Sequence, residues 1–260
     1  MKPSFINNDH PLNTCMVQAK TVERSIELFR AGLADGCDAF GFQYEKLEKE
    51  LHNEECVKKI FAEAKGLPIY VTSYRHSANA GLTDEELFET LLDLVGWGAT
   101  IADVMGDYFH REPGECTTDA EAVEKQKEAI RRIHAAGGEV LMSSHTFKFM
   151  TTEEVMKIAL AHKERGADIS KIVTAGNTPE EEAENLRTTA ILKKELGIPF
   201  LFLSGGTNNR IHRTMGPLLG CNMWLTVHEY DNLATPSQPP VVVAKNIWET
   251  FNYNPADYKI

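Results

Sequence analysis

A lysine inside an apolar strand is the residue of this sequence best suited to covalent chemistry. Lys171 stands among Ile169, Ile172 and Val173 in the stretch ADISKIVTA. Lysine is seldom buried unless it is paired or functional. An apolar setting disfavours the charged form and frees a neutral amine, which attacks ketones and aldehydes. His145 ends the preceding apolar strand, EVLMSSHTF. If these strands are parallel neighbours, imidazole and amine face one pocket. Imidazole titrates near neutrality and can move the protons of imine chemistry. The competing reading, a surface or edge-strand lysine, is weakened by the apolar residues on both sides, which indicate a strand covered on both faces.

Arg213 closes a glycine-rich stretch, SGGTNNRIHR. A guanidinium there suits a substrate carboxylate or phosphate, because it binds oxyanions bidentately; a surface salt bridge is the alternative. A divalent metal is a rival chemistry, since His76, His110, His145, His212, His228 and Glu229 all fall near predicted strand ends. None has the spacing of a ligand motif, so no metal and no cofactor are expected.

The elements that must position these groups alternate strand and helix eight times. Strands are predicted at 14–18, 37–43, 69–75, 99–105, 139–144, 168–174, 199–203 and 222–227. Helices are predicted at 21–35, 45–65, 83–96, 119–136, 151–166, 178–197, 214–219 and 241–251, with Thr-Asp-Glu-Glu and Thr-Thr-Glu-Glu starts and glycine ends. No linker or low-complexity segment interrupts the run, and no glycine-rich phosphate turn follows the first strand. A single (β/α)8 TIM-barrel domain over residues 1–260 is expected, with chemistry at the carboxyl ends of the strands.

The chain has 260 residues, 42% of them hydrophobic, and a net charge of −11. That charge argues against a nucleic-acid partner. The five cysteines are scattered without pairing or zinc spacing, the N-terminal stretch lacks a signal-like apolar region, and no apolar run is long enough to span a bilayer. A reduced, cytoplasmic enzyme without membrane partners is expected, with a homodimer as the default assembly.

The segments MSSHTF, ADISKIV and SGGTNNRIHR, in this order, resemble type I 3-dehydroquinate dehydratase, the Schiff-base enzyme of shikimate and quinate metabolism. The resemblance runs along most of the chain. It implies His145 as general acid/base, Lys171 as the imine-forming residue, and Arg213, Arg75 and Gln238 as substrate-binding residues. Three places depart from the family pattern. Its Glu-Trp-Arg at the end of the second strand reads Gly41-Phe42-Gln43. The glutamate that pairs with its catalytic histidine falls on Asn79. Its Asp-x-Glu on the fourth strand reads Asp103-Val104-Met105. Gln43 and Asn79 are therefore candidate substrate-binding residues of altered type, and the carboxylate beside His145 is expected to be lost. The expectation is a lyase acting on a small keto acid, dehydrating 3-dehydroquinate or a related hydroxy-ketone. Imine-dependent aldol cleavage, a metal-dependent isomerase or lyase, and a binding protein with a decayed site are the alternatives.

Overall fold

The computed structural model describes residues 3–258; residues 1–2 and 259–260 of the expected barrel span lie outside the described residues. The strands are β1 (Leu12–Val17), β2 (Ala39–Gln43), β3 (Ile69–Thr72), β4 (Ile101–Met105), β5 (Glu139–His145), β6 (Ile169–Ala175), β7 (Phe200–Gly205) and β8 (Met223–Thr226). The helices are α1 (Val22–Asp35), α2 (Glu54–Phe61), α3 (Asp84–Gly96), α4 (Ala120–Ala135), α5 (Thr152–Arg165), α6 (Pro179–Glu195), α7 (Arg210–Leu219) and α8 (Val241–Phe251). The strands form one parallel sheet in the order β7-β6-β5-β4-β3-β2-β1-β8. Across the remaining seam the Asn222 N–H donates to the Phe200 carbonyl at 2.8 Å. The result is the expected (β/α)8 barrel, nearly closed.

Alternation along the strands divides the core. Leu12, Ala39, Tyr70, Ile101, Leu141, Ile169, Leu201 and Met223 pack together inside the barrel. Their strand neighbours Phe40, Val71, Ala102 and Val140 pack with Phe29, Leu91 and Ile130 of the surrounding helices. This two-sided burial explains the nearly continuous apolar strands. The predicted helix signals act as expected: Thr83 and Thr151 each close a capping box, with Glu86 and Glu154, and Gly36 and Gly166 end their helices in the left-handed conformation. No helix among the described residues is long and apolar enough to cross a membrane.

Two elements differ from expectation. The predicted helix over 45–65 is broken into 3-10 turns at Tyr44–Lys46 and Lys49–Leu51, the helix α2, and a last 3-10 turn at Ala62–Ala64. Glu45 is drawn inward to accept the Thr72 hydroxyl, Tyr44 stacks on His52, and Asn53 caps a fresh start at α2. These tertiary contacts override helix propensity. Helix α7 starts at Arg210 rather than 214, so Arg213 lies on a helix and not on a loop. The Glu182 carboxylate accepts the N–H groups of Ile211 and His212 at 2.9 and 3.3 Å, satisfying donors a helix start leaves free.

Buried histidines tie helices to the strands that carry the candidate site. His162 on α5 bridges the Ser144 and Ser170 hydroxyls at 3.1 and 3.0 Å, next to His145 and Lys171 respectively. His212 on α7 meets the Thr189 hydroxyl and accepts the Ser204 N–H. Burial, reinforced by Arg165 and Arg213, pulls His162 and His212 each down to about 3, so both are neutral in the fold. The unfolded chain takes up a proton on each below about pH 6.5, so their contribution is complete above that pH and is lost as pH falls through it. Stability measured by urea unfolding is expected to drop by about 2 kcal/mol per histidine between pH 7 and pH 5. His162→Gln should remove about half of that slope; an unchanged slope would contradict the assignment.

Candidate active site

Parallel pairing of β5 and β6 sets Ser143 opposite Lys171 and His145 opposite Val173. His145 therefore stands one inward position nearer the barrel mouth than Lys171. Both line a cavity of about 430 Å³ at the carboxyl ends of the strands. Gln43, Arg75, Arg213 and Gln238 line the same cavity. Asn79 does not: it is buried, and its amide donates to the Ser73 hydroxyl at 3.1 Å.

The Lys171 side chain is not held in apolar surroundings, as its strand neighbours suggest. Those neighbours describe the strand, whereas the side chain reaches across the barrel interior. Its three ammonium hydrogens have three partners: Tyr74 Oη at 2.6 Å, Tyr70 Oη at 2.9 Å and Asp103 Oδ2 at 3.0 Å. Both phenols also donate to Asp103 Oδ2, Tyr74 at 2.6 Å. Neither phenol bonds Asp103 Oδ1, which among the described residues has no partner within hydrogen-bond distance, the Ser143 hydroxyl being the polar group that acts on this carboxylate from beyond it. Burial would raise Asp103, but the Lys171 ammonium, His145 and the Ser143 and Tyr70 hydroxyls hold it below the usual carboxylate range. Burial and the Asp103 charge push both tyrosines well up, so they stay protonated donors.

The carboxylate expected to be missing beside His145 comes from another loop. Glu115, between β4 and α4, accepts His145 Nδ1–H at 2.7 Å and the His145 backbone N–H at 3.0 Å. A carboxylate only accepts, so Nδ1 carries the hydrogen and Nε2 is the nitrogen available to a substrate. Glu115 has φ of 48° and Phe147, which stacks on the His145 ring at 5.8 Å, has φ of 52°. Each left-handed non-glycine residue costs about 1–3 kcal/mol, and such strain concentrates at functional sites. The Glu115 loop is fastened from behind. Ser144 Oγ donates to the Glu115 carbonyl, and Arg165 donates to the carbonyls of Gly106 and Thr117. Position 106 must be glycine, because a Cβ there would lie 2.5 Å from the Glu115 oxygen.

The cations differ in what they have left to offer. Arg75 is gripped by Asp84 at 2.7 and 2.9 Å and by Asp107 at 2.7 Å. Burial works against its charge, but the two carboxylates outweigh it and raise the guanidinium. Arg213 is also buried, yet the only hydrogen bond of its guanidinium to a protein acceptor among the described residues runs from Nε to the Ser204 carbonyl, at 2.6 Å. Burial pulls it down to about 10, still charged at neutral pH. A buried cation without a carboxylate, facing a cavity, has the chemistry to receive an anionic group. Gln43 is bonded to Gln18, which also binds Thr235 of the β8–α8 loop. Gln238 Oε1 is buried without a hydrogen-bond partner among the described residues. Position 41 is packed: a Cβ on Gly41 would meet Met16 Sδ at 2.1 Å and the Tyr70 ring at 3.1 Å.

The histidines considered as metal ligands do not converge. His76 and His145 line the cavity. His110 contacts Thr117, His212 is tied to Thr189, His228 to Asp35, and Glu229 to Arg24. Among the described residues no group of three or more His, Cys, Asp or Glu side chains is arranged to hold a metal ion. Sequence reasoning missed Tyr70, Tyr74, Asp103 and Glu115 as site groups. Strand alternation could have found the first three, which occupy inward positions of β3, its extension and β4. Glu115 sits in an irregular loop and gave no periodic signal.

Fold and site together define a (β/α)8 barrel with lysine, histidine and arginine converging on its catalytic face. A profile of the type I 3-dehydroquinase family matches residues 14–254. The chain belongs to that family, whose members are Schiff-base hydro-lyases. It is 27% identical to the 3-dehydroquinate dehydratase of Methanosarcina acetivorans over 243 residues, covering 90% of this chain and 93% of that enzyme. It is 30% identical to that of Alkaliphilus oremlandii over 120 residues, 45% of this chain and 46% of that enzyme. The crystal structure of the Geobacillus kaustophilus enzyme superposes with a TM-score of 0.80 at 16% identity, covering 96% of this chain and 95% of that one. The Enterococcus faecalis enzyme gives 0.76 at 18% identity, covering 96% and 99%.

The site predicts a stability signature. Lys171→Met leaves the Asp103 charge buried and should cost about 3–5 kcal/mol. The double variant Lys171→Met, Asp103→Asn should recover much of that loss, because no charge is left unpaired. Chemical unfolding measures both; a double variant as unstable as the sum of the two single changes would contradict the pairing.

Proposed function

We propose that this chain is an imine-forming hydro-lyase acting on a carboxylated hydroxy-ketone, with 3-dehydroquinate as its first candidate substrate. The observation that carries this reading is the sharing of one cavity by Lys171, the His145–Glu115 pair and an Arg213 without a carboxylate partner. Arg213 binds the substrate carboxylate and brings the ring ketone to Lys171. The amine adds to the carbonyl carbon, water leaves, and the iminium withdraws electrons from the adjacent carbon. Nε2 of His145 removes the proton there, giving an enamine. The same nitrogen returns the proton to the departing hydroxyl as the enamine electrons expel it. Hydrolysis releases the conjugated enone and frees Lys171. Glu115 keeps Nε2 in the basic tautomer and supports the imidazolium between the two transfers.

One observation favours a second substrate on the same chemistry. Met16 and Tyr70 fill the place where the family carries a glutamate, and Gln43 stands where it carries an arginine. A site that has exchanged charged partners for amides and a thioether discriminates differently among hydroxylated ligands. Retro-aldol cleavage of another carboxylated hydroxy-ketone would use the same imine.

The test is turnover of 3-dehydroquinate, followed by the ultraviolet absorbance of the conjugated product. The unaltered protein is expected to turn over. His145→Gln should lower kcat by roughly 10²–10⁴-fold, and Arg213→Ala should raise KM by about 10-fold or more for one lost charged hydrogen bond. No absorbance change, with an aldehyde fragment released from another hydroxy-keto acid, would move the assignment to the cleavage reaction.

A further inference from the structure

The imine reading leaves the route of the first protons open, and the two tyrosines bear on it. Lys171 rests as an ammonium with every hydrogen donated, so it has no lone pair to offer until one proton leaves. The carboxylate in contact with it is Asp103, which lies 3.0 Å away and is 0% exposed. Asp103 does not line the cavity, whereas Tyr70, Tyr74 and Lys171 do. Any proton held by Asp103 therefore reaches a ligand only through one of those three groups. Tyr74 is the better relay of the two phenols. Its hydroxyl touches Lys171 Nζ and Asp103 Oδ2 at 2.6 Å each, and its ring stands edge-on to His145 at 5.3 Å.

We infer that Tyr74 and Asp103 form the proton carrier for imine formation on Lys171, leaving His145 to the elimination. This rests on the imine reading above. The step balances within the cluster. Lys171 passes one ammonium proton to Asp103, giving a neutral amine and a neutral carboxylic acid. The amine nitrogen bonds to the ketone carbon, and the carbonyl electron pair takes up the proton released from nitrogen, forming a carbinolamine. Tyr74 then donates its hydroxyl proton to the carbinolamine hydroxyl and is reprotonated by Asp103. The carbon–oxygen bond breaks with loss of water, and the nitrogen lone pair closes the iminium. Ammonium, carboxylate and ketone become iminium, carboxylate and water, with no outside acid or base. Asp103 is again an anion, now beside the iminium cation. Both phenols bond Oδ2 of Asp103, so Oδ1 gives the borrowed proton a place that disturbs neither phenol bond.

Exchange of the ketone oxygen of 3-dehydroquinate with ¹⁸O-labelled water tests this, because it reports imine formation and reversal without elimination. Tyr74→Phe keeps the ring and removes only the relay hydroxyl. It is expected to slow exchange by roughly 10²-fold, the scale of one general acid–base group, in a protein that still folds, at a melting temperature lowered by the two hydrogen bonds lost. His145→Gln is expected to exchange oxygen within a few-fold of the unaltered rate while losing wash-in of deuterium at the adjacent carbon. Full-rate exchange in Tyr74→Phe, or loss of exchange in His145→Gln, would overturn the relay and leave the imine standing. No exchange in the unaltered protein would overturn the imine reading on this substrate, and the relay with it.

Discussion

A buried ion pair at the centre of the barrel sets the terms for everything around it. Taking an ammonium and a carboxylate out of water costs several kcal/mol per ion, and their attraction offsets that only when the remaining hydrogens and lone pairs are occupied. Here Lys171 has all its hydrogens placed, and one oxygen of Asp103 receives three donors. The tyrosines are therefore a condition of burying the pair. They also explain Gly41, since Met16 and the Tyr70 ring occupy the space a side chain there would need. A position that looks like a lost substrate contact in the sequence is, in the structure, space filled by Met16 and by one of the tyrosines that hold the lysine.

A second layer fixes the groups at the mouth. Glu115 reaches His145 from a strained loop position, and the strain is held by Ser144, Arg165 and the close approach allowed at Gly106. His162 links Ser144 to Ser170, so the residues just before His145 and Lys171 are fastened to one helix. On the other side His212 and Glu182 anchor the helix that presents Arg213. Catalytic geometry depends on such supports, because small misplacements of reacting groups are costly in rate.

Much of the fold was legible in the sequence because its signals are local. Apolar strand runs, Thr-x-x-Glu starts at α3, α5 and α6, and glycines after several helices located the elements within a few residues. The segment after β2 was misread because Glu45 and Tyr44 answer to partners distant in sequence, Thr72 and His52. His145, Lys171 and Arg213 were found from residue type and position at strand ends. The environment of Lys171 was not, since side chains on its own strand say little about what lies across a barrel. Asp103 was visible only as part of an altered motif, and Asn79 was assigned to the site by position although its side chain turns to Ser73. The His145 partner escaped because a carboxylate can be supplied by any loop that reaches the mouth, and a tertiary contact of that kind leaves no mark in spacing.

The central claim is that Lys171 is the residue that bonds to the substrate ketone. It is tested most directly by reducing the protein with borohydride in the presence of 3-dehydroquinate and locating the adduct by peptide mass spectrometry. One substrate-derived adduct, confined to the peptide containing Lys171 and absent from Lys171→Met, is the predicted result. Labelling of the cavity-lining Lys46 or of surface lysines with Lys171 unmodified, or no adduct during active turnover, would contradict it.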